Sequence, residues 1–104
     1  MAKKIRVRKA DIEWAKKVKE RDHHTCRKCG TRYPSKARGL HAAHIFSRRY
    51  KNTRHDILNG LTLCTYDHIG WAHVNPLEFH EWAKQQLGEE TYEALRLRAQ
   101  EVKK

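Results

Sequence analysis

Cys26 and Cys29 are separated by two residues with Gly30 directly after them, and Cys64 and Asp67 repeat the spacing after 34 intervening residues. Two paired turns of this kind bring four side chains to the corners of a tetrahedron, and thiolates hold zinc at about 2.3 Å. Where a fourth cysteine would complete the pattern, position 67 holds Asp, and a carboxylate also ligates zinc. Cys26, Cys29, Cys64 and Asp67 therefore predict a structural zinc knuckle over 23–34 and 64–67, with His23, His24 and His68 as competitors for the fourth place. Gly30 suits a tight knuckle that needs a positive φ. Zinc here would tie the first third of the chain to the last.

Six of the eight histidines fall between 41 and 80. LHAAHIF at 40–46 suits a short strand, and 61–63 suits its antiparallel partner, with Asn59-Gly60 as a turn dipeptide just before it. His44 then lies at a strand end beside the basic segment SRRYKNTRHDILNG, 47–60, which is too long for a tight hairpin and too basic to be buried. His68 lies near the start of a short helix over 65–73, weakened by Gly70. A strand histidine, a turn asparagine and a helix histidine can thus face one cleft. Imidazole titrates near neutrality, so it serves as a base, and it binds divalent metal well. Arg48, Arg49, Lys51 and Arg54 flank this cleft and suit phosphate contacts, which position a nucleic acid without reading its sequence. No chemistry is expected of His55 or His80.

RDHHTCRKCG, HAAHIFSRR, NGLTLC and the DH that follows, taken in this order, resemble the HNH endonuclease family with its ββα-metal motif, most closely its small phage-type members that carry a zinc knuckle. The resemblance spans about 21–82. It implies that His44 is the general base, that Asn59 braces the hairpin and keeps the base oriented, and that His68 is a ligand of a catalytic divalent ion, magnesium or manganese. It also implies cleavage of DNA to 5′-phosphate and 3′-hydroxyl ends, and a place in phage DNA processing or packaging beside a terminase. Many members carry Asp or His directly before the base as a second ligand, where this chain has Ala43. His41, roughly 6–7 Å along a strand from that position, is the nearest substitute. His73 is a second one, although an i, i+5 spacing from His68 does not share a regular helix face. The rival reading is a non-catalytic zinc-containing DNA-binding module on the same scaffold, with RNA as a further possible substrate.

The elements that must carry these residues read as a small α+β fold: a short hairpin and helix with a zinc knuckle, flanked by N- and C-terminal helices. The whole chain is expected to form one domain, with a basic helix over 1–22, the knuckle and ββα core over 23–74 and C-terminal helices over 75–104. In the first helix, 9–21, Ile12, Ala15 and Val18 form the apolar stripe, with Trp14 beside it. Asn75 as N-cap, Pro76 at the first helical position and Glu78 in a capping-box-like place restart a helix, with Leu77, Trp82, Ala83 and Leu87 facing inward and Gly88 stopping it. Over 89–101, Tyr92, Leu95 and Ala99 share one face.

Charge fits a polyanionic partner, DNA in the first instance. The 104 residues carry a net charge of +11, of which 1–55 contribute +14, and no acidic residue occurs between Asp22 and Asp56. The run KKIRVRK at the start could clamp a phosphate backbone. With no identifiable base-reading helix, sequence preference should be weak and binding strongly salt-dependent. No apolar stretch approaches the length of a transmembrane helix, and no secretory signal is visible. A cytoplasmic setting is expected, the host's if phage-encoded, where three cysteines serve as ligands rather than disulfide partners.

Overall fold

The computed structural model describes residues 8–35 and 37–101, and shows one two-stranded antiparallel hairpin with four helices. Most of the basic run at the start lies outside the described residues. Strands β1 (Leu40–His44) and β2 (Gly60–Cys64) pair in a register that sets Leu40 opposite Cys64 and His44 opposite Gly60. Asn59-Gly60 is not a turn. Asn59 ends a short 3-10 turn, Ile57–Asn59, and Gly60 begins β2. All five residues of β2 are buried. Its outer edge is covered: the Thr62 N–H donates to Asp22 Oδ2 at 3.1 Å, the Thr62 carbonyl accepts from Arg27 N–H at 2.9 Å, and the Gly60 carbonyl accepts from Arg21 at 2.7 Å. An edge strand with its donors and acceptors used in this way does not recruit another strand.

Helix α1 (Lys9–Arg21) forms over the expected span but turns a different stripe inward. Asp11, Trp14 and Val18 are buried, while Ile12 is 64% exposed. At 100° per residue the 11, 14, 18 set makes one stripe, and Ile12 lies about a third of a turn off it. The Trp14 indole N–H, which a buried ring must satisfy, donates to the Asp56 carbonyl at 2.7 Å. Gly60 is what lets α1 lie this close. Its φ of −135° is ordinary extended backbone, so the constraint is space: a Cβ there would lie 2.5 Å from Trp14 Cζ2 and 2.7 Å from Val18 Cγ2. Gly60→Ala is expected to lower the unfolding free energy by about 1–3 kcal/mol through overpacking, measured by urea denaturation. An unchanged midpoint would contradict this packing.

After β2 the chain enters α2 (Thr65–Asp67), which continues as a π-helical turn, His68–Ala72. Helices α3 (Pro76–Leu87) and α4 (Glu89–Gln100) follow, joined at Gly88, whose φ of +89° suits glycine. Asn75 and Pro76 stand at the start of α3 as expected, but the Asn75 side chain makes no cap bond, and Glu78 accepts instead from the Trp71 indole at 2.9 Å. Leu77 is 85% exposed and Phe79 takes its inward place. Phe79, Trp82, Ala83 and Leu87 have the i, i+3, i+4, i+8 spacing of one helix face, and Leu77 is two residues out of phase with it. Tyr92, Leu95 and Ala99 face inward as expected. The core joins Leu40, Ala43, Ile45, Leu61 and Leu63 of the hairpin region to Ala72, Phe79, Ala83 and Leu95. Among the described residues no helix is long and apolar enough to cross a membrane.

Residues 47–56, expected as a solvated basic loop, are moored on both sides. Thr53 and Arg54 are buried. The Asn52 side-chain amide donates to the Arg98 and Glu101 carbonyls at 3.0 and 2.8 Å, which satisfies the C-terminal end of α4, and Asp56 pairs with Arg98.

Candidate functional site

The knuckle folds locally through Gly30 at φ +79°, whose N–H donates to the Cys26 carbonyl at 2.8 Å, and through the Cys26 N–H donating to the Thr31 carbonyl at 2.9 Å. Strand β2 and the first turn of α2 then deliver Cys64 and Asp67 to it. The ligand atoms of Cys26, Cys29, Cys64 and Asp67 all lie within 4.8 Å of one another, and can hold a metal ion such as zinc. The spacings suit it. Tetrahedral bonds of about 2.3 Å place two sulfurs about 3.8 Å apart; Cys29 and Cys64 Sγ are 3.9 Å apart. Asp67 Oδ2 lies 3.2 Å from Cys26 Sγ and 3.4 Å from Cys64 Sγ. Burial pushes the Cys26 thiol up to about 12, and raises Cys64, whereas the Thr31 hydroxyl lowers Cys29. A cation displaces such protons on binding. His23, His24 and His68 are not part of this cluster among the described residues.

The second group lies around a cavity of about 850 Å³ whose walls include Trp14, His44, Arg48, His68, His73 and His80. The π-helical turn resolves the problem of spacing. The His73 N–H donates to the His68 carbonyl, i+5 to i, at 3.1 Å. That geometry stacks residues five apart, and the two imidazoles meet edge to face with centroids 4.5 Å apart. His41 does not line the cavity, yet its Nδ1 lies 2.9 Å from His68 Nδ1. Two lone pairs at that distance need a proton or a cation between them. Two ligands about 2.1 Å from one ion at right angles are about 3 Å apart, so the pair fits as neighbouring ligands. Burial, with His73, His41 and His44 nearby, pushes His68 down to about 4, so it is the neutral, metal-binding form near pH 7. Ala43, 1% exposed, lies in the core and offers no donor.

His44 is held by one hydrogen bond and one stacked ring. Its Nε2 lies 3.0 Å from the Arg54 carbonyl. A carbonyl only accepts, so Nε2 carries the proton and Nδ1 keeps its lone pair. Trp14 stacks on the ring at a centroid distance of 3.9 Å and 12° between planes. Burial lowers His44 below its ordinary value, opposed by the Arg54 carbonyl and by Asp11. Asn59, fully buried, clasps both polar groups of the Phe46 backbone: its Oδ1 accepts from the N–H at 2.8 Å, and its Nδ2 donates to the carbonyl at 2.9 Å and to the Thr53 carbonyl at 3.1 Å. It thereby ties the end of the first strand segment to the loop that faces His44.

The basic residues divide. Arg49 and Lys51 are exposed and Arg48 half-buried at the cavity wall, and none of the three makes an ion pair among the described residues. Arg54 corrects the expectation of a phosphate contact: it is 6% exposed, its Nε and Nη2 donating to Asp11 at 2.8 and 2.6 Å. A guanidinium buried without a counter-charge would be costly, and this fork supplies one. His55 and His80, of which no chemistry is expected, make structural hydrogen bonds, His55 Nε2 with Asp11 at 2.7 Å and His80 Nδ1 with the Tyr92 hydroxyl at 2.8 Å. Asp11 and Trp14 escaped the sequence reading of the cleft, although their i, i+3 spacing places both on one helix face. Comparison with protein-family models, with curated proteins and with solved structures finds no match to this chain.

Proposed function

We propose that this chain is a divalent-metal-dependent DNA endonuclease of the HNH, ββα-metal type, with low sequence specificity and a structural zinc at Cys26, Cys29, Cys64 and Asp67. The observation that carries the reading is that one cavity is lined by His44, whose Nδ1 is left unprotonated, and by His68, which pairs with His41 at a spacing that suits a cation. In this reading His44 Nδ1 takes a proton from the attacking water, and Asn59 keeps the surrounding backbone in place. Arg48, with Arg49 and Lys51 beside it, binds the phosphate backbone. His68 and His41 hold the catalytic ion, with His73 packed against His68. An ion there would polarise the scissile phosphate and stabilise the leaving 3′ oxygen.

The test is nicking of supercoiled plasmid by chelator-treated, zinc-reloaded protein titrated with single ions. Imidazole nitrogens favour transition metals over magnesium. Manganese, cobalt or nickel is therefore expected to support cleavage at concentrations at least about tenfold below magnesium. Equal or better use of magnesium would place oxygen ligands at the ion and overturn the histidine assignment. Folded protein that retards DNA but cuts it with none of these ions would be a binding module, the outcome that the buried Ala43 favours.

A further inference from the structure

We infer that helix α1 is the positioning element for His44: Trp14 holds the imidazole by direct stacking, and Asp11 holds it through Arg54. The inference rests on the reading of His44 as the base. Two residues one turn apart on α1 reach the same ring by different routes. Trp14 lies nearly parallel to it at 3.9 Å, is 4% exposed, and is itself fixed by its bond to the Asp56 carbonyl. A stacked neighbour of this kind restricts rotation of the imidazole. The second route runs through the backbone. Asp11 grips the Arg54 guanidinium at two points, both side chains being under a tenth exposed. The carbonyl of that same Arg54 accepts the His44 Nε2 proton. Asp11 is in turn anchored by the Arg8 N–H at 2.7 Å and by His55.

A buried ion pair gains little stability over apolar residues of the same volume. What the fork does supply is a fixed orientation, because two parallel bonds allow one geometry. The consequence at His44 is chemical. With the Arg54 carbonyl in place the proton stays on Nε2 and the lone pair on Nδ1. Without it the imidazole divides between two tautomers and only part of the population can accept a proton at Nδ1.

The decisive variant is Asp11→Leu/Arg54→Met, which removes both charges and keeps apolar bulk, since Asp11→Asn alone would strand a buried guanidinium. Asp11→Glu, which keeps both charges but shifts the fork, covers the case in which the double variant fails to fold. The readouts are the ring ¹⁵N shifts of His44 in histidine-labelled, zinc-loaded protein, and kcat and KM for manganese-dependent nicking. In the folded double variant the two ring shifts should move towards each other. Its kcat should fall by about 10- to 100-fold with KM within about twofold, and Asp11→Glu should show the same changes more weakly. Folded variants with wild-type tautomer and wild-type kcat would overturn the inference. If wild-type protein cuts no DNA, the nuclease reading fails, and the ring shifts alone still decide whether α1 positions His44.

Discussion

His44→Ala is expected to lower plasmid cleavage by about 10²- to 10⁴-fold, the range a positioned base contributes, while zinc content and DNA retention stay at the wild-type level. The separation follows from where His44 sits. It belongs to no part of the cysteine cluster, and the substitution leaves in place Arg48, Arg49 and Lys51, the residues proposed to bind the phosphate backbone. The substitution removes one stack and one hydrogen bond, a loss of about 1–2 kcal/mol, so both proteins are compared well below their melting temperatures. Activity undiminished in His44→Ala would mean a contaminant or a different base. The pH profile of the wild type carries a second check. Only neutral imidazole accepts a proton, and burial lowers His44 from its ordinary 6.5. The neutral fraction therefore survives further into acid than for a free histidine, and the acid limb of kcat/KM should have its midpoint below 6.5. A midpoint above 7 would assign the limiting proton to another group.

The parts of the site that could be read from sequence are those set by local geometry. A two-residue gap between cysteines followed by glycine dictates a tight turn, and the fold indeed brings Cys64 and Asp67 to that turn. Pro76 and Gly88 likewise punctuate the helices where backbone chemistry requires. The helix phases were harder. Ile12 and Leu77 are apolar and near the right spacing, but the rings of Trp14 and Phe79 bury more surface and win the inward positions. His73 could not be placed by a regular helical period, because the turn that carries it is π-helical. Arg54 and Asp11, 43 residues apart, illustrate the remaining gap. A basic residue in a basic loop reads as a phosphate ligand until the fold sets a buried carboxylate against it. Nothing in the local sequence signals that such a partner arrives from α1.

Cys26→Ser is expected to abolish zinc retention and cooperative unfolding together. Cys26 is fully buried in the main core cluster, and its sulfur faces Asp67 from a position 41 residues earlier in the chain. The cluster joins the knuckle to β2 and α2, and the knuckle's own apolar share of the core is small: Cys26, with Tyr33 packed against it. A structural zinc contributes roughly 10–16 kcal/mol of binding energy in small zinc domains, comparable with the entire 5–15 kcal/mol stability of a typical domain. Loss of one thiolate therefore removes a term the hairpin and helices cannot replace. The measurement is zinc per chain by mass spectrometry beside a thermal melt followed by circular dichroism. Zinc should fall from one per chain to near zero and the sigmoidal melt should flatten. A sharp, zinc-free melt would show that the apolar core suffices alone and that the cysteine cluster serves another purpose. The two variants also test each other. If Cys26→Ser loses DNA retention along with cleavage while His44→Ala loses cleavage only, the zinc cluster maintains the scaffold and the histidine acts on the reaction. If both variants fail in the same way, the distinction between scaffold and chemistry is wrong, and His44 belongs with the structural core.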